Sequence, residues 1–202
     1  MKLKNTPKFF IEVGSCDFDT LNNLADAGWH GMIIDPMEKY LNNIPRKTGV
    51  DYIPCAIDHQ TGESILYTAS DEMTKLDSDY AGMSTMVDSE TRNWGTGRWG
   101  FTEDGTDFLN NEIRIKTITF RDLFQQHHRN IQAIDFLKID TEGYDFEVLK
   151  SFPWDLTNLK PNLIKVEHIH LQNSLEMKDF LIEKGYYVCV EKTDFYAIRI
   201  KE

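Results

Sequence analysis

The chain has 202 residues with 33 acids against 22 bases, a formal net charge of −11, and that length fits one domain with a real core. The negative balance argues against non-specific attachment to nucleic acid or an anionic membrane, both of which need a positive field. No run approaches the roughly eighteen apolar residues of a membrane span, and the three scattered cysteines make neither a disulfide framework nor a metal-finger spacing. The N-terminus MKLKNTPKFFIEVG lacks the apolar core and cleavage site of a signal peptide, so a cytoplasmic chain is expected.

Phe9 to Val13 reads as a first strand ending at Gly14. Phe18 to Ala27 predicts a helix with Phe18, Leu21, Leu24 and Ala25 on one face and Gly28 as its stop. Gly31 to Ile34 is a second strand closed by Asp35-Pro36. Met37, Tyr40, Leu41 and Ile44 give a helical stripe broken by Pro45. Val50 to Ile57 reads as a third strand interrupted by Pro54. Residues 67–112 break the alternation and form a candidate substrate loop within a single domain of residues 1–202.

The alternation then resumes. Ile134, Phe136, Leu137 and Ile139 form a strand buried on both faces, and Phe146, Val148 and Leu149 begin a helix. Leu163 to Glu167 is a further strand. Leu175, Met177, Phe180 and Leu181 carry a helix stopped by Gly185. Tyr186 to Val190 and Phe195 to Ile200 are two strands close enough for a hairpin, so one of them is antiparallel. The fold class is α/β, an open, mostly parallel sheet with helices on both faces and a terminal hairpin. The dinucleotide-binding fold would add a crossover strand there instead.

Ligands of such sheets sit at the carboxyl ends of the strands. In the first exit, IEVGSCDFDTL, Gly14 and Ser15 allow close backbone approach, and the following helix points its N–H groups at a ligand. The loop lacks G-x-G-x-x-G and carries extra acids, which serves a pyrophosphate poorly. An ammonium group on Glu12 and Asp17, with a carboxylate on the backbone N–H groups, suits it better; Asp19 equally reads as a helix cap. At the second exit, Asp35 is placed to accept both hydroxyls of a ribose, or to cap a helix beginning at Pro36. Ribose plus amino acid points to S-adenosyl-L-methionine. Its adenine would lie over Ala56, Ile57 and Asp58.

The segment FLKIDTEGYDFEVLKSF places Asp140 and Glu142 at a strand end, beside Glu167, His168 and His170 at the next. Either histidine can serve as a base toward a hydroxyl nucleophile. As a less favoured alternative, Asp140, Glu142, Glu167 and His168 would hold Mg²⁺ or Mn²⁺. In the irregular middle section, RNWGTGRWGF offers Trp94, Arg98 and Trp99 as a stacking and hydrogen-bonding surface for a sugar or planar acceptor, or as closure of a long loop.

The ordered set IEVGSCDFDT, GMIIDPMEKYLNNI, CAIDHQTGES, IKTITFRDLF, IDFLKIDTEGYDFEVLKSF and LIKVEHIH resembles the FkbM family of S-adenosylmethionine-dependent methyltransferases. The block Lys138-Ile139-Asp140-Thr141-Glu142-Gly143 carries it most specifically. The resemblance implies a Rossmann-like class I methyltransferase fold, a seven-stranded sheet whose last strand is antiparallel, and methylation of hydroxyls on sugars or polyketide-like small molecules. The first loop departs from the family's Asp-x-Gly-Ala-Asn-x-Gly: Cys16 stands for the Asn and Phe18 for the second Gly. A non-catalytic cofactor-binding module and another Rossmann-like nucleotide-dependent enzyme are the alternative readings.

Overall fold

The computed structural model describes residues 7–18, 20–70, 74–75, 82–92, 107–127, 131–169 and 174–200. Its main sheet has seven strands. They are β1 (Phe9–Val13), β2 (His30–Ile34), β3 (Val50–Ile53), β8 (Phe136–Ile139), β9 (Leu163–Glu167), β10 (Tyr186–Glu191) and β11 (Asp194–Arg199), in the order β10-β11-β9-β8-β1-β2-β3. β1 pairs in parallel with β2 and β8, β2 with β3, and β8 with β9. β11 runs antiparallel to both β9 and β10. The expected hairpin is therefore present, and its second strand is the reversed one.

Alternation along each strand divides the core. Ile11, Val13, Leu137, Ile139, Ile164 and Val166 point to one face. There they meet α2 (Phe120–Gln126), α3 (Asp145–Ser151) and α4 (Ser174–Glu183) through Phe120, Leu123, Val148, Leu149, Met177 and Leu181. Phe10, Ile33 and Val50 point to the other face, against Leu41 of α1 (Glu38–Asn43) and Leu21 and Leu24 of a 3₁₀ helix, Leu21–Ala27. Burial of such side chains, roughly 1.5–3 kcal/mol each, drives the layering. Among the described residues no helix is long and apolar enough to cross a membrane.

Two local expectations are corrected, and the interruption expected at Pro54 is a full break. The first helix starts at Leu21, because Glu12 accepts hydrogen bonds from the Thr20 hydroxyl (2.6 Å) and the Leu21 N–H (2.9 Å), while Thr20 accepts from Asn22. Phe18 is left outside it, 66% exposed. Gly28, at φ 83°, ends it as expected. The helix after Asp35 begins at Glu38, so Pro36 is not its first residue. The strand expected over Val50–Ile57 breaks at Pro54, where the Cys55 N–H donates back to the Ile53 carbonyl at 3.0 Å.

Beyond that break, β4 (Ala56–Ile57) joins a second sheet with β5 (Gly62–Thr68), β6 (Ser84–Thr85) and β7 (Asn111–Ile118), in the order β4-β7-β5-β6. β5 and β7 pair antiparallel from Gly62↔Thr117 to Thr68↔Asn111. Residues 67–112 thus begin and end in ordered strands rather than in irregular chain. Near their middle, Arg92 is buried against Asp107 and donates to the Leu109 carbonyl (3.3 Å).

Candidate active site

Register brings the site together. Val13 is level with Ile34 on one side and Ile139 on the other, so Gly14, Asp35 and Asp140 leave the sheet as neighbours. The Gly14 N–H donates to the Ile34 carbonyl (2.9 Å) and the Asp140 N–H to the Val13 carbonyl (3.0 Å). Gly14 has φ 77°, and a Cβ on it would lie 1.9 Å from the Asp140 carbonyl oxygen. Only glycine fits there.

Asp35 organises the first loop. Its Oδ2 accepts from the Cys16 N–H and its Oδ1 from the Met37 N–H, each at 2.8 Å. Burial pushes its carboxyl up to about 6, against the pull of those two N–H groups. Cys16 sits at φ 45°, a left-handed conformation unusual for a residue with a Cβ. Glu142 does the same at φ 51°. Backbone of this kind concentrates at working sites.

These elements surround a cavity of about 780 Å³, counting the space at its mouth that is open to solvent. Gly14, Ser15, Asp35, Pro36, Ala56 and Ile57 line it, as do Asp140 and Glu142. The second sheet contributes Leu66, Ser84 and Met86, with Gly82 just ahead of β6.

Other expected residues lie elsewhere. Glu12 is fully buried, its carboxylate taken up by Thr20, Leu21 and the Lys138 ammonium (3.2 Å), so it does not line the cavity. Asp17 accepts from the Asn43 amide at 2.7 Å, outside the lining. Asp58 stands behind Tyr144, whose hydroxyl donates to it at 2.9 Å, and Tyr144 itself lines the cavity. The His168 ring stacks on Phe195, centroids 4.2 Å apart, and neither it nor Glu167 is a lining residue. His170, Trp94, Arg98, Trp99 and Asp19 lie outside the described residues.

The acid end of the cavity is denser than the sequence suggested. Lys138, its side chain 3% exposed, lies 3.2 Å from Glu12 and 3.7 Å from Asp140. Asp145, fully buried at the start of α3, accepts from the N–H groups of Thr141 and Gly143, both at 3.0 Å, and so shapes the loop that carries Glu142. Burial, then the charges of Asp140 and Asp145, push Glu142 up to about 8. Burial and Asp140 push Asp145 up to about 7. Glu167 rises to about 10 through burial and the charges of Glu142, Asp145 and Asp140. Glu12 is also raised, burial outweighing the attraction of Lys138.

Lys138, Tyr144 and Asp145 escaped the sequence reading. A lysine between the apolar neighbours Leu137 and Ile139 was the available signal for the first, since a charge in a buried strand needs a partner. Among the described residues no three His, Cys, Asp or Glu side chains are grouped so as to hold a metal ion.

The family model for the methyltransferase FkbM domain matches residues 12–188, from the end of β1 into β10. The chain belongs to the FkbM methyltransferase family. No curated protein matches it by sequence. In this FkbM methyltransferase, the matched span covers every strand exit that feeds the cavity.

Proposed function

We propose that this protein binds S-adenosyl-L-methionine in the cavity and methylates a hydroxyl of a sugar or small natural product. The observation that carries the reading is the convergence of Gly14, Asp35 and Asp140 at three adjacent strand ends on one cavity. The strand order, with a single reversed strand inside the terminal hairpin, supports reading the fold as a Rossmann-like class I methyltransferase.

The residues present fit the cofactor. Asp35 spends one lone pair per oxygen on backbone N–H groups, which leaves acceptor capacity for ribose hydroxyls. Gly14 and Ser15 line the cavity beside Asp35, where the amino-acid end of the cofactor would lie. Ala56 and Ile57, with Tyr144, offer an apolar seat for a purine, and Asp58 orients the tyrosine hydroxyl. The bound cofactor supplies an electrophilic methyl group.

For the acceptor, we assign the base to Glu142 rather than to His168. Glu142 lines the cavity, whereas the His168 ring is packed on Phe195. A carboxyl raised to about 8 takes a proton from a hydroxyl far better than an ordinary one, and positioned bases contribute ~10²–10⁴-fold. Alignment of the acceptor supplies the rest.

Titration calorimetry with S-adenosylhomocysteine and NAD⁺ tests the cofactor, with binding of the first alone expected. Release of S-adenosylhomocysteine across a panel of glycosides and phenolic or aliphatic alcohols then tests the acceptor class. Binding without turnover on any hydroxyl acceptor, but with turnover on amines or thiols, would overturn the O-methylation reading.

A further inference from the structure

One contact between the two walls of the cavity lies at its lip. Gly82, two residues ahead of β6, has φ 140°, and a Cβ built on it would lie 3.0 Å from Cys16 Sγ and 3.4 Å from the Phe18 ring. All three residues line the cavity, yet Cys16 and Phe18 follow β1 of the main sheet and Gly82 precedes a strand of the second. Cys16 is fixed in place, because its N–H is held by Asp35 while its backbone is left-handed. Phe18, excluded from the 3₁₀ helix by the Thr20 cap, keeps one ring edge near Gly82 and is otherwise 66% exposed. Apolar area at a cavity lip leaves water only when a ligand lies against it.

We propose that Phe18 and Gly82 are positioning residues for the S-adenosyl group: the second sheet completes a seat that the main sheet leaves open at its first loop. This rests on the cofactor reading above. Gly82 has no side chain at this contact, where its φ of 140° disfavours one and a Cβ would crowd the Cys16 sulfur at 3.0 Å. Phe18 then covers the ligand from the lip, and its ring is buried on binding.

The test is binding of S-adenosylhomocysteine to the full chain, by calorimetry and stopped flow. Phe18→Ala should weaken it roughly ten-fold, mostly through faster dissociation. The thermal midpoint should stay unchanged, because the ring is exposed. Phe18→Trp should restore affinity to within about two-fold, which a merely structural role would not require. Gly82→Ala should also weaken binding, and should do so less in a Cys16→Ala background, where the obstructing sulfur is gone. If Gly82→Ala does not fold, the Phe18 pair decides alone. A wild-type chain that fails to bind S-adenosylhomocysteine removes the cofactor reading itself. A wild type that binds, with Phe18→Ala of equal affinity or with Gly82 and Cys16 strictly additive, overturns this proposal and leaves the cofactor reading standing.

Discussion

The two ends of the cavity differ in what surrounds their buried carboxyls: N–H donors at one, other acids at the other. At the first-loop end burial raises Asp35 only to about 6, because the N–H groups of Cys16 and Met37 offset part of that burial and hold the loop. At the β8–β9 end, Asp140, Glu142, Asp145 and Glu167 lie in one another's field, and each of the last three is pushed well above the carboxylate range. The first arrangement suits a fixed recognition site. The second stores protons near neutrality and suits transfer. Lys138 lies between them, reaching Glu12 beneath the first loop and Asp140 at the acid end.

Cutting that link should have the largest effect. Lys138→Met leaves the buried Glu12 carboxylate uncompensated and should destabilise the fold by about 3–5 kcal/mol. The Glu12→Gln, Lys138→Met double variant should recover much of that loss, since two buried charges then disappear together. Urea unfolding of the wild type and the two variants checks this, and equal midpoints for single and double variants would show that the pair does not couple the two ends.

Gly14→Ala comes next, because it attacks the seam where the ends meet. The added Cβ would lie 1.9 Å from the Asp140 carbonyl at φ 77°. A cost of about 2–3 kcal/mol in stability is expected, with loss of S-adenosylhomocysteine binding. Retained affinity would mean that the seam adjusts without disturbing the seat.

Asp35→Ala tests the first end alone. Loss of hydrogen bonds to a charged group should weaken S-adenosylhomocysteine by about 1.5–3 kcal/mol. Since Asp35 also holds Cys16 and Met37, Asp35→Asn is the sharper variant. It keeps an acceptor oxygen for one N–H group but loses the charge, so an intermediate affinity is expected from calorimetry.

The difference between the ends also explains what was legible in the sequence. Gly14, Asp35 and Asp140 stood out because strand exits follow from apolar runs and their punctuation, and the parallel register then aligns them. Asp145 was hidden because an acid in the first turn of a helix looks like an ordinary cap; its burial comes from the packing of α3. The left-handed backbone at Cys16 and Glu142 has no residue signature, since neither is a glycine. The second sheet was missed for another reason. Glu112-Ile113-Arg114-Ile115-Lys116 alternates with period two, a strand signal, but it stands on the far side of a long irregular stretch and its partner Gly62–Thr68 follows a turn. Pro54 was correctly seen as an interruption, and only the change of sheet beyond it required the structure.

The smallest expected effect concerns the acid end and pH. Glu142 rises to about 8 in the folded chain, so the folded state keeps a proton that the unfolded chain has already released. The unfolded state then binds fewer protons, and stability falls as pH rises, beginning near the ordinary glutamate range and ending near 8 for this group. Asp145 adds to the same slope up to about 7, and Glu167 carries it on toward 10. Because these carboxyls share one field, their contributions do not add, and Glu142 alone accounts for only part of the slope between pH 5 and pH 8.5. Glu142→Gln keeps the neutral form at every pH. Its thermal midpoint should match the wild type near pH 5 and exceed it at pH 8.5, while methyl transfer falls by ~10²-fold or more. A variant that is more stable and less active only at high pH would mark Glu142 as the group the acid end is built to hold near neutrality. Stability curves that run parallel in the two proteins would instead assign the slope to Asp145 and Glu167.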